Sequence, residues 1–452
     1  MIDGRGERGS SRALRWFVAF AFFTVLAGDA FRYSITWYGW IAVVLATSAV
    51  MLVLLVRNRR EWRFNGLPYP LIAFLVLTVL SIAWSNYRVF SVIGAFSTII
   101  TALAAVTIAV LLSRTEILWA LGMALRFVLG LSLLFEFVVA VFVRHPILPW
   151  WANYGTEKIH PADYWSRDLL FAGDRIQGIV GNSNLLGFVA LLGLIVFSIQ
   201  LATRSVRLGW GFLWLAVAIA TIALTRSATV IVALVAVAVV AIILVLVRRM
   251  RTAHGRRGVY IGSAVVVALG VVGAIVYRGQ LLPLLNKSSD LTGRTDIWAE
   301  VIRLARERPV AGWGWISYWY PNVHPFDNHS AFVKGGVQLL QAHDAWLDVW
   351  FQLGVIGLIV FGALVLSTVV RAWIAAVDPP MRATDQPTPY SALTLLPILV
   401  LVALLAQSLA ESRLLIEYGM LLLCLFAVST KRDLLDTGRL ADASQSEGRQ
   451  AR

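Results

Sequence analysis

Residues 230–247 read VIVALVAVAVVAIILVLV, a run without a single charge or hydrogen-bonding side chain. A strand of a membrane barrel alternates lipid-facing and lumen-facing residues, and this run does not alternate. A helix needs about twenty apolar residues to cross the hydrocarbon layer of a bilayer. No water is available there, so the backbone must pair within the segment, which only a helix achieves. The run is flanked by Arg226 on one side and by Arg248 and Arg249 on the other, which suits the two surfaces of a membrane.

Apolar blocks of the same kind recur on both sides of it. Candidate spans lie at 13–31, 35–56, 68–84, 90–112, 118–143, 184–202, 208–224, 228–247, 258–277, 346–370, 391–410 and 413–430. The expected fold class is therefore all-α and integral to a membrane, with about twelve transmembrane helices and a large extracytoplasmic loop between late spans. Composition agrees. The 452 residues are 59% hydrophobic and 14% charged, with a mean hydropathy of +0.76. Soluble chains are about half apolar and about a quarter charged. The formal charge of +14 excludes neither nucleic acid nor membrane by itself. Its residues sit between apolar blocks in short loops, however, which is the membrane pattern, so no nucleic-acid partner is expected. Cys424 is the only cysteine, which rules out a disulfide within the chain. Segment 16–31 lacks a small-x-small cleavage site and reads as the first span.

Orientation follows from the basic residues. Arg5, Arg8, Arg12 and Arg15 precede the first span, and Arg57, Arg59, Arg60 and Arg63 lie in loop 57–67. Arg248, Arg249, Arg251, Arg256 and Arg257 lie in loop 248–258, and Lys431, Arg432 and Arg439 in the tail. The intervening short loops 32–34, 85–89, 225–228 and 411–413 carry one arginine each. Short basic loops stay in the cytoplasm, so both termini are expected there, in the cytoplasmic (inner) membrane. The organisation is then N-terminal spans over 1–143, an outer loop over 144–183, spans over 184–277, a large outer loop over 278–345, spans over 346–430 and a polar tail over 431–452. Tail residues 437–452 read as disordered. In the large loop, TDIWAEVIRLARER (295–308) is an amphipathic helix with Ile297, Trp298, Val301, Ile302 and Ala305 on one face. Thr295 suits its start and Pro309 its end. The aromatics of 311–326 suit headgroup level.

Polar residues gather on the outer side. Loop 144–183 ends in GDRIQGIVGNSN (173–184), with Arg175 beside Asn182 and Asn184 at a helix start, a place that favours anions. Arg226 stands in TRSA between two spans, and Arg294 in LTGRTDIW before the amphipathic helix. An arginine offers phosphate a fixed fork of donors, so the three together can clamp a diphosphate. Each also has a plain structural use: Arg175 pairing with Asp174 or Asp163, Arg226 snorkelling, Arg294 solvated. His343, in QAHDAWLDVWFQLG (341–354), suits a general base, with Asp344 or Asp348 to orient it; its plain use is to line a helix end. His324, His329 and Asp327 add outer polar groups, but their spacing fits no metal-ligand pattern, and neither a metal nor another cofactor is expected. Arg126 and Glu136 share one span, and Glu411 and Glu417 flank Arg413; charges inside spans are functional candidates by default. No GxxxxGK[ST] nucleotide loop occurs.

At these motifs the chain resembles the O-antigen ligase and polymerase superfamily. The resemblance runs from about residue 173 to about 360. It rests on R-x-x-G-x-x-x-N-x-N (175–184), TRSA (225–228), GRxxxW (293–298), RPVAGWGW (308–315) and AHDAWLDVWFQLGVIGL (342–358), in that order. It implies a multispan enzyme that moves a glycan from a polyprenyl diphosphate carrier to an acceptor on a glycan, lipid or protein. It further implies that Arg175, Arg226 and Arg294 hold the diphosphate and that His343 activates the acceptor hydroxyl. The implied displacement is inverting, without metal or nucleotide. Where the family often has Asn after the histidine, this chain has Asp344. Ligase and polymerase differ in acceptor, and the motifs do not separate them. A polysaccharide or lipid transporter is the competing class, supported by the spans and by Arg126 and Glu136. A structural membrane protein is the third, and it leaves the outer arginines and histidine unused.

Overall fold

A computed structural model describes residues 10–59, 66–152, 159–277, 279–280, 294–327, 332–334, 337–378 and 390–450, with side chains up to 435. His329 lies outside the described residues. The chain is a helical bundle: α1 (Arg12–Leu26), α2 (Gly28–Arg57), α3 (Tyr69–Leu80), α4 (Arg88–Leu111), α5 (Arg114–Val138), α6 (Ser183–Ala202), α7 (Leu208–Thr225), α8 (Ala228–Arg249) and α9 (Ala253–Val276). Then come α10 (Arg294–Glu307), a two-residue ribbon pairing Val333–Lys334 with Val337–Gln338, α11 (Ala345–Val377), α12 (Leu396–Ser408) and α13 (Glu417–Gln450).

Among the described residues eight helices, α2, α4 to α9 and α11, are long and apolar enough to cross a membrane. The apolar helices 69–83 and 392–408 are shorter. Polar caps start several of them and satisfy amides that the first turn leaves unpaired. Asn182 accepts from the amides of Asn184 and Leu185, Ser227 from that of Val230, and Ser113 forms a capping box with Glu116. Helix α6 is the most enclosed long span, and α9 buries none of its residues. Near its start α9 is tied to α11 by Arg256 to Asp378 at 2.6 Å and by Trp373 Nε1 donating to Tyr260 Oη at 3.3 Å.

Long-range bonds sort the turns into two ends of the bundle. At one end Ser10 donates to Glu116, Arg114 pairs with Asp433, and Arg248 donates to Ala376 O. At the other Trp84 donates to Ala311 O, Trp151 to Arg32 O, Ile176 N to Leu224 O, and Arg294 pairs with Glu411. The site described below occupies this second end.

The structure departs from the sequence expectations in four places. The block 13–31 is cut at Ala27, and residues 32–34 are not a loop. They belong to the first turns of α2, whose helical course breaks at Ile35 and Thr36. Arg32 is buried there between Asp29 and Glu417. The aromatics of 311–326 do not lie at a surface: Trp313, Trp315 and Trp319 are buried, with Trp315 Nε1 donating to Thr98 Oγ1 at 2.9 Å. Helix α10 starts one residue before Thr295. It turns Ile297, Val301, Leu304 and Ala305 into an aromatic cluster with Trp313, Phe326 and Phe351. Finally, α13 continues as helix to Gln450, through most of the tail read as disordered.

The large loop is fastened to α11 through a kink. Gly354 has φ +65°, and a Cβ there would fall 2.1 Å from Val310 O. Only glycine admits that approach. The break frees the amides of Val355 and Ile356 to bond Pro309 O and Val310 O at 2.9 and 3.2 Å.

Candidate active site

The segment 173–184 is set in place from below by Glu136 of α5. This buried carboxylate accepts from the amides of Gln177 and Gly178 through Oε1, at 2.9 and 2.7 Å, and from Ser166 Oγ through Oε2 at 2.9 Å. A buried charge is tolerable when several donors surround it. Arg126, on the same helix, does not pair with Glu136; it donates to Gln200 Oε1 at 2.5 Å and lies over the Phe197 ring. The two charges that suggested transport thus each have local partners rather than each other.

Above that anchor Arg175 reaches across to the turn between α7 and α8. Its Nε donates to Thr225 O at 3.0 Å and its Nη2 to Asn184 Oδ1 at 2.6 Å, an oxygen that also accepts from Ser227 Oγ at 2.8 Å. Its guanidinium pairs with neither Asp174 nor Asp163 among the described residues; Asp174 takes the Arg175 amide instead. Burial, and after it the charge of Arg167, lowers the Arg175 pKa. Arg226 follows Thr225 in a left-handed conformation, φ +45°, with its side chain exposed and without a hydrogen bond among the described residues. It does not line the cavity described next.

That cavity, of about 200 Å³, gathers Asn182, Asn184, Arg294, His343, Glu411 and Arg413. Gln341, Leu185, Ile297 and Leu339 complete its wall. The candidates Asn182, Asn184, Arg294 and His343 therefore share one pocket, although they come from the start of α6, from α10 and from the approach to α11. Asp344 does not orient His343: its carboxylate caps α11, accepting from the amides of Trp346 and Leu347 at 2.9 and 3.0 Å. Asp348 is buried on α11 and has no bond to the imidazole. His324 stands apart, exposed and 3.4 Å from Asp327.

The partner of the imidazole is Glu411, from the turn between α12 and α13. His343 Nδ1 lies 2.9 Å from Glu411 Oε2. The same oxygen accepts from Gln341 Nε2 at 2.9 Å, and Oε1 accepts from Arg294 Nη2 at 3.1 Å. An ionised carboxylate only accepts, so Nδ1 carries the proton in the neutral ring and the lone pair sits on Nε2. Burial alone would raise the Glu411 pKa. His343, Arg294 and Arg413 outweigh it and hold the carboxyl below its ordinary range. Arg413 in turn donates to Tyr318 Oη at 3.0 Å and pairs with Glu417, which also pairs with Arg32. Sequence reasoning marked Glu411, Glu417 and Arg413 as buried charges but missed that the first of them belongs to the histidine.

Chemically, the pocket holds a hydrogen-bonded imidazole–carboxylate pair, two arginines and two asparagine side chains at one end of a helical bundle. The family model described as "O-Antigen ligase" matches residues 213–362, from within α7 to within α11. Residues 213–362 match the O-antigen ligase family. The matched segment contains Arg226, Arg294 and His343, while Arg175, Asn182 and Glu411 lie outside it. A curated relative, the exopolysaccharide production protein ExoQ of Rhizobium meliloti (strain 1021), is 29% identical over 117 residues. That stretch is 25% of this chain and 26% of ExoQ, so the chain matches about a quarter of that protein's length. The apolar helices make this a multi-pass membrane protein, and residues 213–362 of it are similar to the O-antigen ligase family.

Proposed function

We propose that this protein transfers an oligo- or polysaccharide from a polyprenyl diphosphate carrier to an acceptor hydroxyl, on the outer face of the cytoplasmic membrane. The observation that carries the reading is the His343–Glu411 pair, with no bond to His343 Nε2 among the described residues, in a cavity that Arg294 also lines. Nε2 takes the acceptor proton as the oxygen attacks the anomeric carbon from the side opposite the diphosphate. The new C–O bond forms, the carrier C–O bond breaks, and the diphosphate leaves with its electron pair, inverting the centre. Glu411 stabilises the imidazolium so formed. Arg175, Arg226 and Arg294 receive the diphosphate, with Asn182 and Asn184 as further donors, and such fixed charges lower the barrier by several kcal/mol. No metal or other cofactor enters the scheme. The acceptor is a glycan, lipid or protein hydroxyl. A polysaccharide polymerase of the same family uses the same site with a growing glycan as acceptor. The transporter reading keeps the spans but draws less from Glu136 and Arg126, which have local partners.

The carrier needs an apolar bed as well. A groove of about 410 Å³ between α1, α2 and α5 is lined by Phe23, Phe31, Leu131, Phe135, Trp165 and Ile179, among others. Ile179 lies three residues before Asn182 of the polar pocket, so a chain in this groove has its headgroup end near the arginines.

In proteoliposomes supplied with a polyprenyl-diphosphate glycan, Arg175→Ala should weaken carrier binding by about 10- to 100-fold, the worth of a charged hydrogen bond. Arg175→Lys should recover part of it, keeping the charge but losing the fork. Unchanged binding and transfer in Arg175→Ala would remove this residue from the diphosphate site. The twelve-span topology, with both termini in the cytoplasm, takes α1, α3, α12 and α13 as spans too. A cysteine at position 160 should then react with an impermeant thiol reagent in intact cells, and one at position 252 only after lysis. Reaction at 252 in intact cells would invert the topology.

A further inference from the structure

His343 and Glu411 are 68 residues apart in the chain and come from separate turns, so something must set their separation. The backbone at His343 does not do so unaided. It is left-handed, φ +54°, a conformation that costs a non-glycine residue about 1 kcal/mol and persists only when its surroundings impose it.

One buried carboxylate joins the two turns. Asp348, one turn into α11, is 1% exposed. Its Oδ2 accepts from the amide of Ala342 at 3.0 Å and from Ser412 Oγ at 2.5 Å. Ala342 immediately precedes His343, and Ser412 immediately follows Glu411. Its Oδ1 accepts from Trp319 Nε1 at 2.9 Å and Gln352 Nε2 at 3.2 Å, which fixes the carboxylate against the large loop. Gln341 adds a parallel brace: its Oε1 accepts from the Ser412 amide at 3.1 Å while its Nε2 donates to Glu411. The imidazole itself is untouched by Asp348.

We propose that Asp348 is the positioning residue of the base: through Oδ2 it holds the turns carrying His343 and Glu411 at the spacing their hydrogen bond requires. This rests on reading His343 as the base. A buried aspartate with four donors also stabilises the fold, so the test must separate the two roles. Ser412→Ala removes one donor to Oδ2 and leaves the carboxylate in place, whereas Ser412→Thr keeps the hydroxyl.

Two readouts are taken on the full-length protein in proteoliposomes. One is the turnover number and its pH profile in glycan transfer. The other is the titration of the His343 ring by NMR of histidine-labelled protein, assigned by its loss in His343→Ala. Ser412→Ala should keep its thermal midpoint and carrier binding, lose about tenfold in turnover, the scale of one hydrogen bond, and titrate His343 at lower pH. The direction follows because a looser Glu411 stabilises the imidazolium less. Its acid limb in the rate profile should shift the same way, and Ser412→Thr should restore both. Asp348→Asn should shift His343 further in the same direction if it folds; the serine series decides the matter if it does not. Wild-type titration of His343 in Ser412→Ala would overturn the positioning role whatever the transfer assay gives. A shifted titration with no transfer by wild-type protein would keep the positioning role and overturn the proposed reaction.

Discussion

His343→Ala is expected to lower glycan transfer by about 10²- to 10⁴-fold, the contribution of a positioned general base, while carrier binding stays within about twofold of wild type. In the proposed reaction the two effects separate because the imidazole takes the acceptor proton, whereas the arginines bind the diphosphate. Equilibrium binding of the carrier and single-turnover transfer, measured on the same proteoliposomes, check the split. The loss should sit in the turnover number, since a proton acceptor matters only as the transition state is reached. Transfer at the wild-type rate by His343→Ala would end the assignment, and His329, in the same large loop, would be the next candidate.

Glu411→Gln is expected to cost nearly as much, about 10²- to 10⁴-fold, although it is almost isosteric. The carboxylate oxygen fixes the proton on Nδ1 of His343. An amide can turn its NH₂ toward that nitrogen, which moves the proton to Nε2 and leaves no lone pair for the acceptor. The analogous exchange in serine proteases acts in this way. Glu411 also neutralises Arg294 at 3.1 Å and is 7% exposed as a side chain. Glu411→Ala should therefore also lose about 3–5 kcal/mol of stability, the usual result of unpairing a buried charge. The pH dependence has a definite sign. Glu411 is held below the ordinary carboxylate range, so its pairing stabilises the fold above that range and is lost as the pH falls through the lowered value. Thermal midpoints recorded from neutral to acid pH should fall more steeply for the wild type than for Glu411→Gln. Parallel curves, together with wild-type transfer by Glu411→Gln, would count against the pair.

Much of the architecture was legible because a span is a local object. The block 68–84 becomes helix over 69–83, and 208–224 becomes Leu208–Thr225, since an apolar run in lipid can pair its backbone groups only within itself. What escaped the sequence is pairing across distance. Arg32 and Glu417 lie 385 residues apart, and no local pattern announces their union. Arg32 therefore read as a lone loop charge, and Glu411 as a generic buried carboxylate. The aromatics of 311–326 failed for a related reason: composition gives Trp315 an affinity for interfaces, but only the fold decides that it meets Thr98 instead of headgroups. At the site, the residue types were legible and the partnerships were not. Asp348 is sequence-near to His343, yet it faces Ala342 and Ser412.

Helix α9 carries a practical consequence. It buries none of its residues, and among the described residues its side-chain bonds to the α11 end lie near its start, through Arg256 and Tyr260. Its surroundings are therefore acyl chains to a greater extent than those of the other long spans. Replacing lipid by detergent changes the solvent of α9 most, and loosens it first at the Tyr277 end, from which the chain runs on toward Arg294. A purified sample can thus keep the rest of its bundle intact while this helix loosens. Extraction that carries native lipid along, rather than gentler heating or pH, is the variable that preserves this part of the molecule.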